Sequence, residues 1–127
     1  MMFSGLEVVS QVCNKLRDDL SIPIFPIVST QTQNQIILLI KSNEHGITDI
    51  NRAELWFKIE YQLRNGTIQL TNIRNIIKEI EEGLQQYISE NLVFIEPLSF
   101  IEPIIDPDKT DYSITVLRYA IRSIKTI

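Results

Sequence analysis

Between Glu79 and Asp111 the sequence sets nine carboxylates against one base. The acids are Glu79, Glu81, Glu82, Glu90, Glu96, Glu102, Asp106, Asp108 and Asp111; the base is Lys109, for a local balance of −8. Neighbouring carboxylates are the raw material of acid–base catalysis and of hard-cation binding. Asp106, Asp108 and Asp111 imitate part of a calcium loop, but their spacing misses the EF-hand pattern and Pro107 interrupts them. The plain reading is a solvated helix face and two acidic loops. His45 is the only histidine and Cys13 the only cysteine. No Cys/His pair stands at metal-ligand spacing, so His45 reads as a solvated loop residue. Cys13 falls on the apolar stripe of a helix, where it acts as a small hydrophobe and cannot form an internal disulfide. The four glycines are isolated, which excludes a phosphate-cradling loop, and no strained nucleophile turn occurs. The expectation is a protein with no catalytic residues, no metal and no cofactor.

After Asp111 the sign reverses. Arg118, Arg122 and Lys125 follow with no acid. Two readings stay open. These are unrelated surface charges, or Asp106 and Asp108 on one side and Arg118, Arg122 and Lys125 on the other serve head-to-tail contact between identical subunits, which closes into rings when the rotation allows. Trp56 is a further interface candidate. It sits among polar residues on a strand face, either as an anchor for a partner or under a loop of its own chain.

The elements that position these residues are organised around Arg52–Arg64, RAELWFKIEYQLR. Ala53, Leu55, Phe57, Ile59, Tyr61 and Leu63 alternate with Arg52, Glu54, Trp56, Lys58, Glu60, Gln62 and Arg64. Strict period-two alternation predicts a strand with one face on a core. A slip of one residue would turn Phe57 and Ile59 into water, so the register is strongly specified. Asn65-Gly66 then predicts a turn.

Two amphipathic helices are expected to cover the apolar face. The first runs from about Gly5 to Asp19, behind a Ser4/Glu7 capping box, with Leu6, Val9, Val12, Cys13, Leu16 and Leu20 as its stripe. Ile22-Pro23 ends it. The second runs from about Asn72 to Ser89, capped by Thr71 or Asn72, with Ile73, Ile76, Ile77, Ile80, Leu84, Tyr87 and Ile88 on one face.

The remaining strands are less regular. Residues 23–30 carry Pro23 and Pro26 and read as an edge or irregular strand. Residues 35–42, QIILLIKS, are apolar on both faces and read as central and covered. Residues 43–51 form a loop. Residues 91–101 form a strand interrupted by Pro97, which suggests an edge or a bulge, and 102–111 a tight acidic loop. The last strand, 112–127, is partly apolar on both faces: Ile114, Val116, Ala120 and Ile124 lie with the arginines, and Leu117, Tyr119 and Ile121 lie opposite. Either a bulge flips it midway, or another subunit buries part of it. The expected fold is a single α+β domain over 1–127. It has an antiparallel or mixed sheet of about five strands, with two helices on one face, in the order α-β-β-β-α-β-β.

Composition fits a globular chain of 127 residues, 44% apolar and 22% charged. A net charge of −4 argues against non-specific nucleic-acid binding and against an anionic membrane surface. The longest apolar run, Ile36 to Ile40, is far too short to span a bilayer. The stretch MMFSGLEVV lacks a basic region followed by an apolar run, so no secretory signal is expected. A lone cysteine points to a reducing compartment.

The order of elements, carried by Leu6–Leu20, Ala53–Leu63, Ile73–Ile88 and Tyr112–Ile124, resembles the small tail-terminator (tail-completion, or minor capsid) proteins of long-tailed bacteriophages. The resemblance covers nearly the whole chain and rests on pattern, since the family has no diagnostic motif. It implies a structural virion protein with no catalytic residues. Such a protein forms a hexameric homo-oligomer ring on the end of the tail tube, stops its growth, and presents a surface to the head connector or stopper. It implies the tail tube protein as partner, a place at the head–tail junction of the virion, and assembly in the host cytoplasm. DNA would pass through the lumen without specific binding. Part of Glu79–Asp111, or the 43–51 loop, would face lumen or partner. The alternatives are another head–tail joining or head-completion adaptor, or a small intracellular ligand-binding module.

Overall fold

A computed structural model describes residues 13–14, 16–18, 22–25, 34–42, 52–90 and 93–123. The fold is α+β, as the alternation and the helical stripes predict. Five strands and one long helix are described in full: β1 (Ile24–Phe25), β2 (Gln35–Ser42), β3 (Arg52–Gln62), α1 (Leu70–Glu90), β4 (Val93–Ile105) and β5 (Tyr112–Ser123). Residues 13–14 and 16–18 are helical as well. The sheet order is β1-β2-β3-β5-β4. Four strands pair antiparallel, and the two-residue β1 adds a short parallel edge to β2.

Register follows the sequence pattern. Ile36 and Leu38 stand opposite Ile59 and Phe57, and Leu117 and Tyr119 stand opposite Phe57 and Leu55. All of these are buried in one cluster. Leu55, Phe57 and Ile59 are fully enclosed at 0% exposure. Phe57 and Tyr119 meet edge to face, ring centres 5.8 Å apart, the arrangement that aromatic quadrupoles favour. From above, α1 lays Ile76, Ile80, Leu84 and Tyr87 on this face, and Cys13 and Leu16 join the same cluster. Burial of this kind stabilises by about 2 kcal/mol per large side chain.

Gly83 sets the fit between the two helical segments. A Cβ built on Gly83 would lie well inside contact distance of the Leu16 side chain, so glycine is what allows the close approach. The Asn65-Gly66 turn has positive φ at both residues, 53° and 72°, as a type I′ hairpin turn requires. Arg64 and Thr67 close it with two 3.0 Å backbone hydrogen bonds.

Several boundaries differ from expectation. The helix begins at Leu70, with the Ile73 amide donating to the Gln69 carbonyl at 3.0 Å, so Thr71 and Asn72 lie in its first turn and do not cap it. Strand β4 continues past residue 101 to Ile105, because a register shift between Ile101 and Ile104 absorbs Pro103. No bulge flips the faces of the last strand along β3: the β3–β5 register is unbroken, with Leu117, Tyr119 and Ile121 buried on one face and Ile114, Val116 and Ala120 half-buried on the other. The Ser4/Glu7 box, His45, the 43–51 loop and Lys125 lie outside the described residues.

Candidate assembly surface

The most unusual surface is strand β4, VFIEPLSFIEPII, which forms one edge of the sheet. Phe94, Leu98, Phe100, Ile101, Ile104 and Ile105 are each close to half exposed. Two features put them there. Pro97 and Pro103 have no amide to give a ladder, which confines the strand to an edge. The register shifts at Pro97/Ser99 and Ile101/Ile104 re-aim its side chains, so apolar groups appear on both faces. Sequence reading found the edge through Pro97. The exposure escaped it, because a run this apolar looks the same whether a core or a partner covers it.

Beneath the inner side of β4 lies a groove of about 440 Å³ against α1. Its walls include Arg74, Ile77 and Glu81 from α1 and Leu98 and Phe100 from β4, with Tyr119 at its base. A smaller recess continues it along the same seam past Leu84, Ile88 and Ile95. Burial pushes the Tyr119 hydroxyl up to about 12, and the carboxylate of Glu81 adds to the shift.

On the opposite face of the sheet, Trp56 and Arg118 face each other across β3 and β5. The Arg118 guanidinium lies over the indole, 4.5 Å from its centre, and donates to Glu54 at 2.6 Å and to Ser99 at 3.2 Å. The indole N–H also donates to Glu54, at 3.2 Å. Trp56 is thus half-buried by its own chain. Arg122 is exposed and lies over the Phe94 ring at 5.1 Å. One end of this face closes over a buried carboxylate: Glu60 accepts from Gln35 at 2.6 Å, with Lys109 at 3.6 Å and Lys58 at 4.0 Å.

The acidic residues divide between roles. Asp106 is buried and its Oδ1 accepts the Asp108 amide at 2.9 Å, an Asx turn that shapes the β4–β5 hairpin. Its own amide donates to the Tyr112 carbonyl at 2.8 Å. Asp108 and Asp111 are exposed at the tip, Glu81, Glu82 and Glu90 are exposed on α1, and Glu96 and Glu102 on β4. The structure therefore keeps Asp108 as a free-facing surface acid and assigns Asp106 to the turn.

Among the described residues, no group of three His, Cys, Asp or Glu side chains is placed to hold a metal ion. No described helix is long and apolar enough to cross a membrane. Burial raises the Cys13 thiol above its ordinary range, against a smaller opposite pull from Arg17. No protein-family model matches the chain, and no curated protein matches it in sequence.

Proposed function

We propose that the chain is a structural virion protein of a long-tailed bacteriophage that caps the tail tube as a ring and joins it to the head connector. The observation that carries the assembly part of this reading is β4. Six large apolar side chains half exposed on one outer strand forgo burial worth about 1 kcal/mol each, and such patches mark protein interaction sites. The α+β plan supports the tail-terminator form through the resemblance in element order, read in full as five strands with two helices on one face. In this reading the protein is not an enzyme. It works at the head–tail junction with the tail tube protein and the head connector or stopper, and DNA crosses its lumen unbound.

The flanking genes and a deletion test it. Neighbours encoding a tail-tube protein and head-completion proteins are expected, and loss of this chain should leave overlong or unjoined tails in electron micrographs. Tails of normal length beside unjoined heads would reassign it to a head–tail joining adaptor. Metabolic neighbours and normal virions would overturn the reading.

A further inference from the structure

The β4 edge carries two features that fit each other and cannot meet within one molecule. At its hairpin end, Ile104 and Ile105 project beside the exposed acids Asp108 and Asp111. Toward its other end, the groove against α1 is walled by Leu98, Phe100 and Ile77, with the exposed Arg74 at its margin. We propose that the hairpin end of β4 in one copy seats in the α1–β4 groove of a second copy, head to tail. This rests on the reading of the chain as a self-assembling structural protein and adds which surfaces meet.

Four observations favour a second copy in this orientation. The exposed apolar side chains of β4 form two separate surfaces, Ile104 and Ile105 at the hairpin end and Leu98 and Phe100 at the groove, so each copy offers both halves of such a contact. The charges are complementary, with acids at the hairpin end and Arg74 at the groove; Glu81 also lines the groove, opposite in effect to Arg74. The groove is elongated, because the recess past Leu84 and Ile88 continues it, as a seat for the end of a hairpin requires. Finally, two-fold pairing of β4 with β4 is disfavoured. Pro97 and Pro103 lack donors, and two register shifts break the regular ladder such pairing needs. A contact between two different patches is heterologous, so it repeats around a ring or along a filament.

Cross-linking tests this directly. The only native cysteine, Cys13, is buried and stays out of the reaction. The full chain carrying both Leu98→Cys and Ile105→Cys, treated with a short bis-maleimide at high protein concentration, is expected to give a ladder of multimers. Each single variant should give monomer alone. Arg74→Glu added to the double variant should lower the yield about fivefold, the size of effect one peripheral ion pair supplies. Sedimentation of the unmodified chain checks that assembly does not depend on the new cysteines. A product that stops at dimer, or dimers from Ile101→Cys alone, would overturn the head-to-tail arrangement in favour of a two-fold one. Rings in sedimentation with no ladder would overturn these surfaces while leaving the ring reading intact. A chain that stays monomeric and uncross-linked at millimolar concentration would overturn the copy-on-copy contact and leave β4 to a different protein, which the deletion phenotype tests separately.

Discussion

The Arg118 guanidinium lies 4.5 Å from the centre of the Trp56 ring, each residue being the other's neighbour across β3 and β5. Both stand out in the sequence as separate candidates for a partner contact. In the fold they occupy each other, and Glu54 binds both, which locks the two side chains against the sheet. Arg118 is 31% and Glu54 37% exposed on their side chains, so the ion pair is screened, and the stack contributes more than the charge. A double-mutant cycle of Trp56→Ala and Arg118→Ala, read by urea denaturation, is expected to give a coupling of about 1 kcal/mol. Coupling near zero would show that the stack adds nothing to stability.

Asp106 and Asp108 are two residues apart, carry the same group, and should respond unequally to replacement. Asp106 is 5% exposed and holds the hairpin through the Asp108 amide, whereas the Asp108 side chain faces solvent. Asp106→Ala should lower stability by about 1–2 kcal/mol, the cost of losing a buried acceptor and its turn. Asp108→Ala should change it by less than about 0.5 kcal/mol. Thermal melts of the two variants check this, and equal shifts would remove the distinction. The charge reversal that tests a surface role therefore belongs at Asp108 alone.

Gly83 sits in the middle of α1, where glycine costs about 1 kcal/mol relative to alanine. Packing explains its presence, because an added methyl would run into Leu16, itself 1% exposed and unable to swing into water. Gly83→Ala should thus destabilise, overpacking of about 1–3 kcal/mol outweighing the gain in helix propensity. Pairing it with Leu16→Ala should relieve part of the cost. A Gly83→Ala chain that melts higher than the parent would contradict the close approach.

What the sequence discloses depends on how local the cause is. The face of β3 is legible because alternation over eleven residues has only one folded interpretation. The buried face of α1 is legible for the same reason, through the spacing of Ile73, Ile76, Ile80, Leu84 and Tyr87. The two faces of β5 need the strand order, which is a property of the whole sheet: Leu117 and Tyr119 are buried in the core cluster, while Val116 and Arg118 lie half-buried on the other face beside residues of β3 and β4. The candidate site divides in the same way. Pro97 announces an edge, but whether Phe94, Ile101 and Ile104 end in a core or in water depends on distant packing. Nothing in the spacing of Asp106 and Asp108 separates a turn residue from a surface acid. Gly83 gives no signal, since its constraint comes from Leu16, far away in the chain.

Tyr119 makes alkaline stability a measure of how tightly the α1–β4 seam is closed. Its hydroxyl is pushed up to about 12 in the folded chain, first by burial and then by the Glu81 carboxylate, against about 10 when unfolded. Below pH ~10 both states keep the proton and the full stability is present. Between about pH 10 and 12 the unfolded state loses the proton while the folded state holds it, so stability must fall as pH rises through that window. The loss is of the order of 2 kcal/mol by the top of the window. Tyr119→Phe should flatten this part of the profile, and Glu81→Gln should move the tyrosinate step of the folded protein to lower pH. Tyrosinate absorbance in native and urea-unfolded protein, followed together with thermal melts, checks both. A parent and a Tyr119→Phe chain with the same alkaline slope would mean that the hydroxyl titrates in water and that the seam over it is open.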